Sequence, residues 1–226
     1  MIAKLAELRE QGFCVLPAQC PTPLIDACRE AFWPLLLDHL LTHPPNRGAD
    51  RYFLPMPFEP PCFAPEFFFD PDVLSIVHGA MDDRAVADQW GCDVPLPGSE
   101  YQEPHIDYRR PLFPEAPDLA LPPYILVVSF GLLDIGPEDG PIEIAPRGHP
   151  MQAVTLGKGD VLIRHPWALH RGSPNRSHTP RALVSIRHVR RWYADNSREV
   201  NAIPRRVWDS LTPAQQEMMR FPVALR

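Results

Sequence analysis

The chain has 226 residues, enough to bury a sizeable core within one domain. Its net charge of −6 gives no electrostatic reason to expect nucleic acid or an anionic membrane surface as a partner. No apolar run approaches the roughly 20 residues of a membrane span, and the first residues lack the apolar core of a signal peptide. Five scattered cysteines without a CxxC pair favour reduced thiols, so we expect a cytoplasmic protein.

The beginning of the chain is predicted to be mainly helical. Apolar residues recur at helical spacing in three segments, 2–10, 22–41 and 71–80. Gly12 ends the first helix, and a short buried strand follows at 13–16. Thr22 and Pro23 are typical of the start of the second helix, which Pro34 would kink or split.

A stretch rich in proline and phenylalanine lies between His43 and Pro71 and has no clear period. A long aperiodic segment inside a compact domain is often a functional lid or binding loop. Aromatic packing beneath a loop explains the same composition equally well. Both interpretations stay open from the sequence alone.

Short apolar segments separated by turn residues follow from about residue 85. We predict strands at 85–90, 99–108, 124–133, 142–144, 161–164 and 181–189. Helices followed by closely spaced short strands predict a mainly β fold with flanking α-helices, of the jelly-roll type. We expect one domain over 1–226, with a helical flank at about 1–85, a jelly-roll core at about 86–190, and a C-terminal tail and helix at 191–226.

The strongest chemical signal is a short stretch at 102–107, which reads QEPHID. Side chains alternate along an extended strand, so His105 and Asp107 would lie side by side on one face. An imidazole and a carboxylate are two of the three groups in the 2-His-1-carboxylate triad, which holds Fe(II) and leaves positions open for co-substrate and O₂. An edge-strand histidine beside a solvated aspartate is the plain alternative.

A third ligand has to come from farther along the chain. His170 follows a predicted strand, and His165 competes with it, although Pro166 comes directly after His165. Arg181 stands 11 residues after His170, and its planar guanidinium suits a carboxylate held by two parallel hydrogen bonds. Such an arginine near an iron site is what 2-oxoglutarate chemistry needs, because the keto acid chelates the metal at one end and requires a cation at the other. A surface arginine in a basic tail is the alternative for Arg181.

Four motifs occur in one order between about residues 97 and 190. They are Pro97-Gly98-Ser99 with Gln102 and the His105/Asp107 pair; Leu133-Asp134 through Asp139-Gly140-Pro141 to Pro146-x-Gly148-His149; Gly159-Asp160-Val161-Leu162; and His170, Asn175, Ser177 and Arg181. This order resembles the phytanoyl-CoA dioxygenase family of Fe(II)/2-oxoglutarate oxygenases. Arg147 departs from that family, which more often has Gly followed by Ser before the histidine.

The resemblance implies a double-stranded β-helix, a cupin-like jelly roll. It also implies that His105, Asp107 and His170 are the iron ligands, that Arg181 grips 2-oxoglutarate, and that Gln102 assists in binding it. The implied activity is an O₂-dependent hydroxylation or desaturation of a small organic substrate, with 2-oxoglutarate decarboxylated to succinate and CO₂. The carboxylate of Asp107 favours these outcomes, because related halogenases have Gly or Ala there and so bind chloride.

The segments 43–71 and 108–123 are expected to form the walls of the substrate pocket, since both are rich in proline and aromatic residues. Tyr108 and Arg109 are the candidate substrate-binding residues, and Arg109 either binds an anionic group or is simply solvated. A second hypothesis is a non-catalytic or zinc-loaded jelly-roll binding module. Such a module would have no reason to keep Arg181 at its spacing from His170.

Overall fold

The computed structural model of the chain describes residues 1–107, 112–116, 119, 121–194 and 200–225. The helices are α1 (Ile2–Gln11), α2 (Thr22–Thr42), α3 (Pro65–Phe68), α4 (Pro71–Ala80), α5 (Arg205–Ser210) and α6 (Pro213–Glu217). The strands are β1 (Phe13–Leu16), β2 (Arg51–Pro55), β3 (Val86–Pro95), β4 (Ile125–Gly131), β5 (Ile142–Ile144), β6 (Gln152–Val154), β7 (Val161–Arg164), β8 (His170–Gly172) and β9 (Leu183–Val189). Within these ranges no helix combines the length and apolar character needed to cross a membrane.

Two antiparallel sheets form the body of the molecule. The larger sheet has six strands in the order β1-β7-β4-β9-β3-β2, and the smaller has three in the order β6-β5-β8. The strands change sheets as the chain proceeds, so sequence neighbours such as β7 and β8 lie in different sheets. This arrangement is a jelly roll, and the predicted fold class, mainly β with flanking helices, is confirmed.

The inner face of the larger sheet is set by the register of its central strands. Ser129 on β4 pairs with Ser185 on β9, and their side-chain Oγ atoms are 2.9 Å apart. Two pairs further along, Val127 stands opposite Arg187. Because side chains alternate across a strand, these residues share one face, which lines a cavity between the sheets.

The outer face of the larger sheet is covered by helices and by aromatic residues of the 43–71 segment. Phe67 packs on Phe130 of β4 at 4.9 Å between ring centroids, and Phe68 packs on Trp90 of β3 at 5.0 Å. Burying each such side chain contributes about 1.5–3 kcal/mol. Aromatic packing therefore accounts for much of the phenylalanine content of this segment, and Phe53 adds one side chain to the cavity wall.

Helix α2 runs unbroken through Pro34, where the sequence predicts a kink or a break. The residues that α2 buries are Ile25, Cys28, Phe32 and Leu36. Pro34 is exposed on the opposite side, as is Glu30 one turn earlier. The Glu30 carbonyl, which Pro34 cannot bond, is thus on the solvent side, where it is accessible to water.

The strand predicted over 99–108 is wrong. Residues 101–107 have no regular strand structure, and His105 alone forms an isolated bridge, with His170 of β8. Pro104 interrupts the ladder because it has no N–H to donate. The segment instead follows the edge of the smaller sheet through a few separate backbone hydrogen bonds, including Gln102 N to the Gly172 carbonyl at 3.0 Å.

Candidate functional site

His105 and His170 are brought together by backbone pairing between the 102–107 segment and β8. Each of the two residues donates its backbone N–H to the carbonyl of the other at 2.9 Å, and their ring centroids are 4.5 Å apart. The Nδ1 of His105 lies 2.9 Å from the Glu103 carbonyl, and the Nδ1 of His170 lies 2.8 Å from the Ala168 carbonyl. A carbonyl only accepts, so both Nδ1 atoms carry the proton and both Nε2 lone pairs are free to bind a metal.

Asp107 completes a cluster with these two histidines. Its Oδ1 is 3.6 Å from the Nε2 of His170, and one ligand atom from each of His105, Asp107 and His170 lies within 4.8 Å of the other two. The Asp107 backbone N–H donates to the Pro166 carbonyl at 3.0 Å, which fixes the position of the residue after the bridge. The three predicted ligands are therefore adjacent, although His105 and Asp107 do not lie on a regular strand.

Arg164, at the end of β7, orients the carboxylate of this cluster. Its Nη1 donates to Asp107 Oδ2 at 2.9 Å, and the two side chains are 12% and 26% exposed. Sequence reasoning did not single out Arg164. Its register opposite Val127 of β4 turns it into the cavity, and this register cannot be read from the local sequence.

The electrostatics of the cluster keep Asp107 and His170 in the forms that bind metal. Burial acts to raise the pKa of Asp107, but the charge of Arg164 and the contact with His170 outweigh it and hold this pKa well below its usual range. Burial, followed by the charge of Arg164, lowers the pKa of His170. At neutral pH the site therefore offers an ionised carboxylate and a neutral imidazole.

His165, the competing third ligand, lies elsewhere. Its ring packs on Trp167 at 4.8 Å between centroids, and it borders a groove that does not include the three clustered residues. Burial, with the charges of Arg147 and Arg164, lowers its pKa to about 4. The backbone N–H of His165 donates to the Gly12 carbonyl at 2.8 Å, which attaches the end of β7 to the N-terminal segment.

Arg181 is buried at the cavity wall with one nitrogen unpartnered. The residue is 1% exposed, its Nε donates to the Gly140 carbonyl at 3.1 Å, and its buried Nη1 has no hydrogen-bond partner among the described residues. Asp93 Oδ2 is the nearby acidic atom, at 4.0 Å from this Nη1. A buried cation with an unused donor facing a cavity is suited to bind an anion. Burial lowers the pKa of Arg181, against the opposing charge of Asp93.

Arg187, another buried arginine at the cavity wall, is committed to an ion pair. Its Nε and Nη2 donate to the two carboxylate oxygens of Asp88 at 2.7 and 2.9 Å, and Asp88 also accepts from Arg220 at 3.0 Å. Arg187 is 2% exposed and reaches the cavity at the end opposite Asp93, since Asp93 pairs with Leu183 and Gln89 pairs with Arg187. Arg181 is therefore the better anion anchor.

Gln102 lies at the rim of the cavity and connects two segments. Its Nε2 donates to the Arg47 carbonyl at 3.0 Å, and its Oε1 accepts from the Gly172 N–H at 2.9 Å. Both ends of its amide are thus bound to backbone groups. Tyr108 and Arg109, the candidate substrate-binding residues, lie outside the described residues.

The short distance in sequence between His170 and Arg181 is spanned by a turn built on Asn175, which is fully buried. Its Nδ2 donates to the carbonyls of Pro95 and Thr179 at 3.0 and 2.8 Å, and its Oδ1 accepts from the backbone N–H and the hydroxyl of Ser177. Asn175 thereby closes the loop that carries the chain from β8 back to Arg181. The turn positions the arginine and does not itself reach the cavity.

A cavity of about 200 Å³ contains both the cluster and the anchor. Polar side chains on its wall come from the cluster and from the inner faces of the sheets, and apolar ones include Val127, Ile142 and Leu183. Asp93 and the Ser129/Ser185 pair were not identified from sequence. They line the cavity because inward positions on β3, β4 and β9 alternate with core positions.

No protein-family model matches the chain. Solved structures with a similar fold include AviO1 from Streptomyces viridochromogenes, 17% identical over 86% of this chain and 96% of that one, with a TM-score of 0.63. The epimerase SnoN, in complex with Fe3+, alpha ketoglutarate and nogalamycin RO, is 14% identical over 88% and 93% of the chains, with a TM-score of 0.65. HygX from Streptomyces hygroscopicus, with nickel and 2-oxoglutarate bound, is 15% identical over 86% and 89%, with a TM-score of 0.63. The chain therefore shares the jelly-roll fold of these proteins.

Proposed function

We propose that this protein is an Fe(II)- and 2-oxoglutarate-dependent oxygenase that oxidises a small organic molecule. The observation that carries the proposal is the presence, in one cavity, of a His-Asp-His cluster and of a buried arginine with an unpartnered nitrogen. The first group suits a metal and the second suits the far carboxylate of a keto acid. Together they match the two ends of 2-oxoglutarate.

The donor set of the cluster fits Fe(II). Two neutral imidazoles and one carboxylate form the ligand set of non-heme iron oxygenases, in which the remaining positions stay open. The carbonyls of Glu103 and Ala168 hold the two imidazoles with their Nε2 atoms free, and Arg164 holds the carboxylate. His105, Asp107 and His170 would hold the metal, and these neighbouring groups would keep them oriented.

When bound, the iron supplies the O₂ activation that couples decarboxylation of 2-oxoglutarate to oxidation of the substrate. The residues of the chain position and shield the reactants. Arg181 binds the far carboxylate, and Gln102 holds the rim by joining the Arg47 segment to β8. Asp107 occupies the position that is Gly or Ala in related halogenases, so we propose hydroxylation or desaturation as the outcome.

Two of the structurally similar proteins were solved with a metal ion and 2-oxoglutarate, which supports the choice of cofactor and co-substrate. The order of motifs between residues 97 and 190 further supports membership of the phytanoyl-CoA dioxygenase family, which we retain as a proposal. The family name does not assign the substrate. The unpartnered nitrogen of Arg181 also argues against a zinc-loaded binding module, since such a module would gain nothing from it.

The test is succinate release from 2-oxoglutarate by purified protein with Fe(II), ascorbate and O₂, with and without a panel of small organic molecules. We expect slow succinate formation without substrate and a faster rate with a suitable one. His170→Ala should abolish it and His165→Ala, the matched control, should keep it. Absence of succinate under every condition, together with absence of 2-oxoglutarate binding, would refute the proposal.

A further inference from the structure

Two buried arginines and one carboxylate lie close together at the anchor end of the cavity, where Arg181 and Asp93 line the wall and Arg51 lies behind it. Arg51 on β2 is 3% exposed and Arg181 is 1% exposed. Asp93 on β3 faces the same cavity, and its side chain is 40% exposed. These three groups are close enough to affect one another's charge. Burial lowers the pKa of Arg51, the charge of Arg181 lowers it further, and the charge of Asp93 raises it.

Among the described residues, neither arginine donates a hydrogen bond to an acidic side chain. The Arg51 guanidinium donates to backbone carbonyls, from its Nη2 to Glu100 and Ser173, both at 2.6 Å. Arg181 donates to the carbonyl of Gly140, and Asp93 is 4.0 Å from its free nitrogen, beyond a hydrogen bond. Asp93 therefore compensates charge at this end without holding the guanidinium in place.

The charge balance leaves room for one more negative charge. Arg51 and Arg181 contribute two positive charges and Asp93 one negative charge, so the three groups carry a net charge of +1. A single carboxylate bound at Arg181 balances the charges of these three groups, while the charge of Arg47, which also lines the cavity, is exposed to solvent. A doubly charged group would leave an excess negative charge in a confined site, where uncompensated charge is poorly solvated.

We propose that Asp93 is a specificity-determining residue, which restricts the anchor at Arg181 to co-substrates that end in one singly charged carboxylate. The inference rests on the proposed function, because it concerns the far end of the 2-oxo acid. Asp93 repels the incoming carboxylate and so limits its affinity. The same repulsion excludes phosphate-like ends more strongly than carboxylate ends.

The experiment measures the dissociation constants of three 2-oxo acids by the metal-to-keto-acid charge-transfer band of the anaerobic Fe(II) protein. The ligands are 2-oxoglutarate, its analogue with a distal phosphonate, and 2-oxopentanoate, whose distal end is neutral. Two variants remove the negative charge of Asp93. Asp93→Asn keeps the shape of the side chain, and Asp93→Ser removes the same charge with a smaller side chain. Asp83→Asn, on the exposed turn before β3, is the control for net charge.

We expect Asp93→Asn to bind 2-oxoglutarate about tenfold or more tightly than wild type, because a nearby like charge opposes binding by more than about 1.4 kcal/mol. The phosphonate should gain more than 2-oxoglutarate, and 2-oxopentanoate should be unaffected. Asp93→Ser should give the same order, and Asp83→Asn should match wild type.

Weaker binding of 2-oxoglutarate in both Asp93 variants would show that Asp93 holds the anchor in place, and it would overturn the inference. Equal effects on all three ligands would overturn it as well. A wild-type protein that shows no charge-transfer band with any 2-oxo acid would instead refute the proposed function. The two failures are thus distinguishable.

Discussion

Replacement of Arg181 should damage 2-oxoglutarate binding while leaving the metal site intact. Arg181→Met keeps much of the volume of a side chain that is 1% exposed, but it removes the unpartnered Nη1 and the donor to Gly140. Removing one partner of a buried charge pair costs about 2–5 kcal/mol. At about 1.4 kcal/mol per factor of ten, this is a loss of roughly 30-fold to several-thousand-fold in apparent affinity.

Because Asp93 is close to Arg181, we expect the loss of 2-oxoglutarate affinity to lie in the upper part of that range. In Arg181→Met its carboxylate, 4.0 Å from the lost nitrogen, would face the distal carboxylate without the intervening cation. Arg181→Lys should recover only part of the affinity, because one ammonium cannot reproduce the planar fork and also satisfy the Gly140 carbonyl.

The charge-transfer band of the anaerobic Fe(II) protein reports both quantities in one titration. Fe(II) affinity should be nearly unchanged in Arg181→Met, since this residue is outside the metal cluster. A normal 2-oxoglutarate titration in Arg181→Met would refute the anchor assignment. Arg187 would then be the next residue to test, although its fork is already bound to Asp88.

Three further predictions concern other parts of the molecule. Arg164→Gln should lower Co(II) affinity about 10- to 100-fold in equilibrium dialysis, because Arg164 orients Asp107; unchanged affinity would contradict this role. Asp107→Gly should vacate a metal position, so chloride should alter the spectrum of the Fe(II) variant and leave that of the wild type unchanged; identical responses would count against Asp107 as a ligand. Burial, together with His78, lowers the pKa of His188 from 6.5 to about 3. The unfolded chain therefore binds this proton at higher pH, and stability should fall by about 1.4 kcal/mol per unit as pH drops from about 6.5 toward 3. His188→Leu should flatten that part of the urea-denaturation profile, and an unchanged slope would show that other groups cause it.

The site could be predicted from sequence to the extent that it depends on local spacing. His105 and Asp107 are two residues apart and occupy an extended segment, so their proximity follows even though Pro104 prevents a regular strand. The distance from His170 to Arg181 is fixed by a local turn, and the Asn175 and Ser177 that build it are visible in the sequence.

The groups around the ligands depend on register between distant strands. Arg164 reaches Asp107 because β7 pairs with β4, and Asp93 reaches Arg181 because β3 pairs with β9. No local pattern specifies such pairings. The strands β2, β6 and β8 were not predicted. β2 lies inside the aperiodic 43–71 segment, and the three residues of β6 and of β8 are too few to show a period of two. The equally short β5 was predicted because turn residues mark both of its ends.

The central claim is that one cavity binds a metal and the two ends of a 2-oxo acid. A crystal structure of the protein grown anaerobically with Fe(II) and 2-oxoglutarate tests it most directly. We expect the metal on the Nε2 atoms of His105 and His170 and on the carboxylate of Asp107, with the distal carboxylate on the Nη1 of Arg181. A metal bound elsewhere, or a keto acid without contact to Arg181, would contradict the claim.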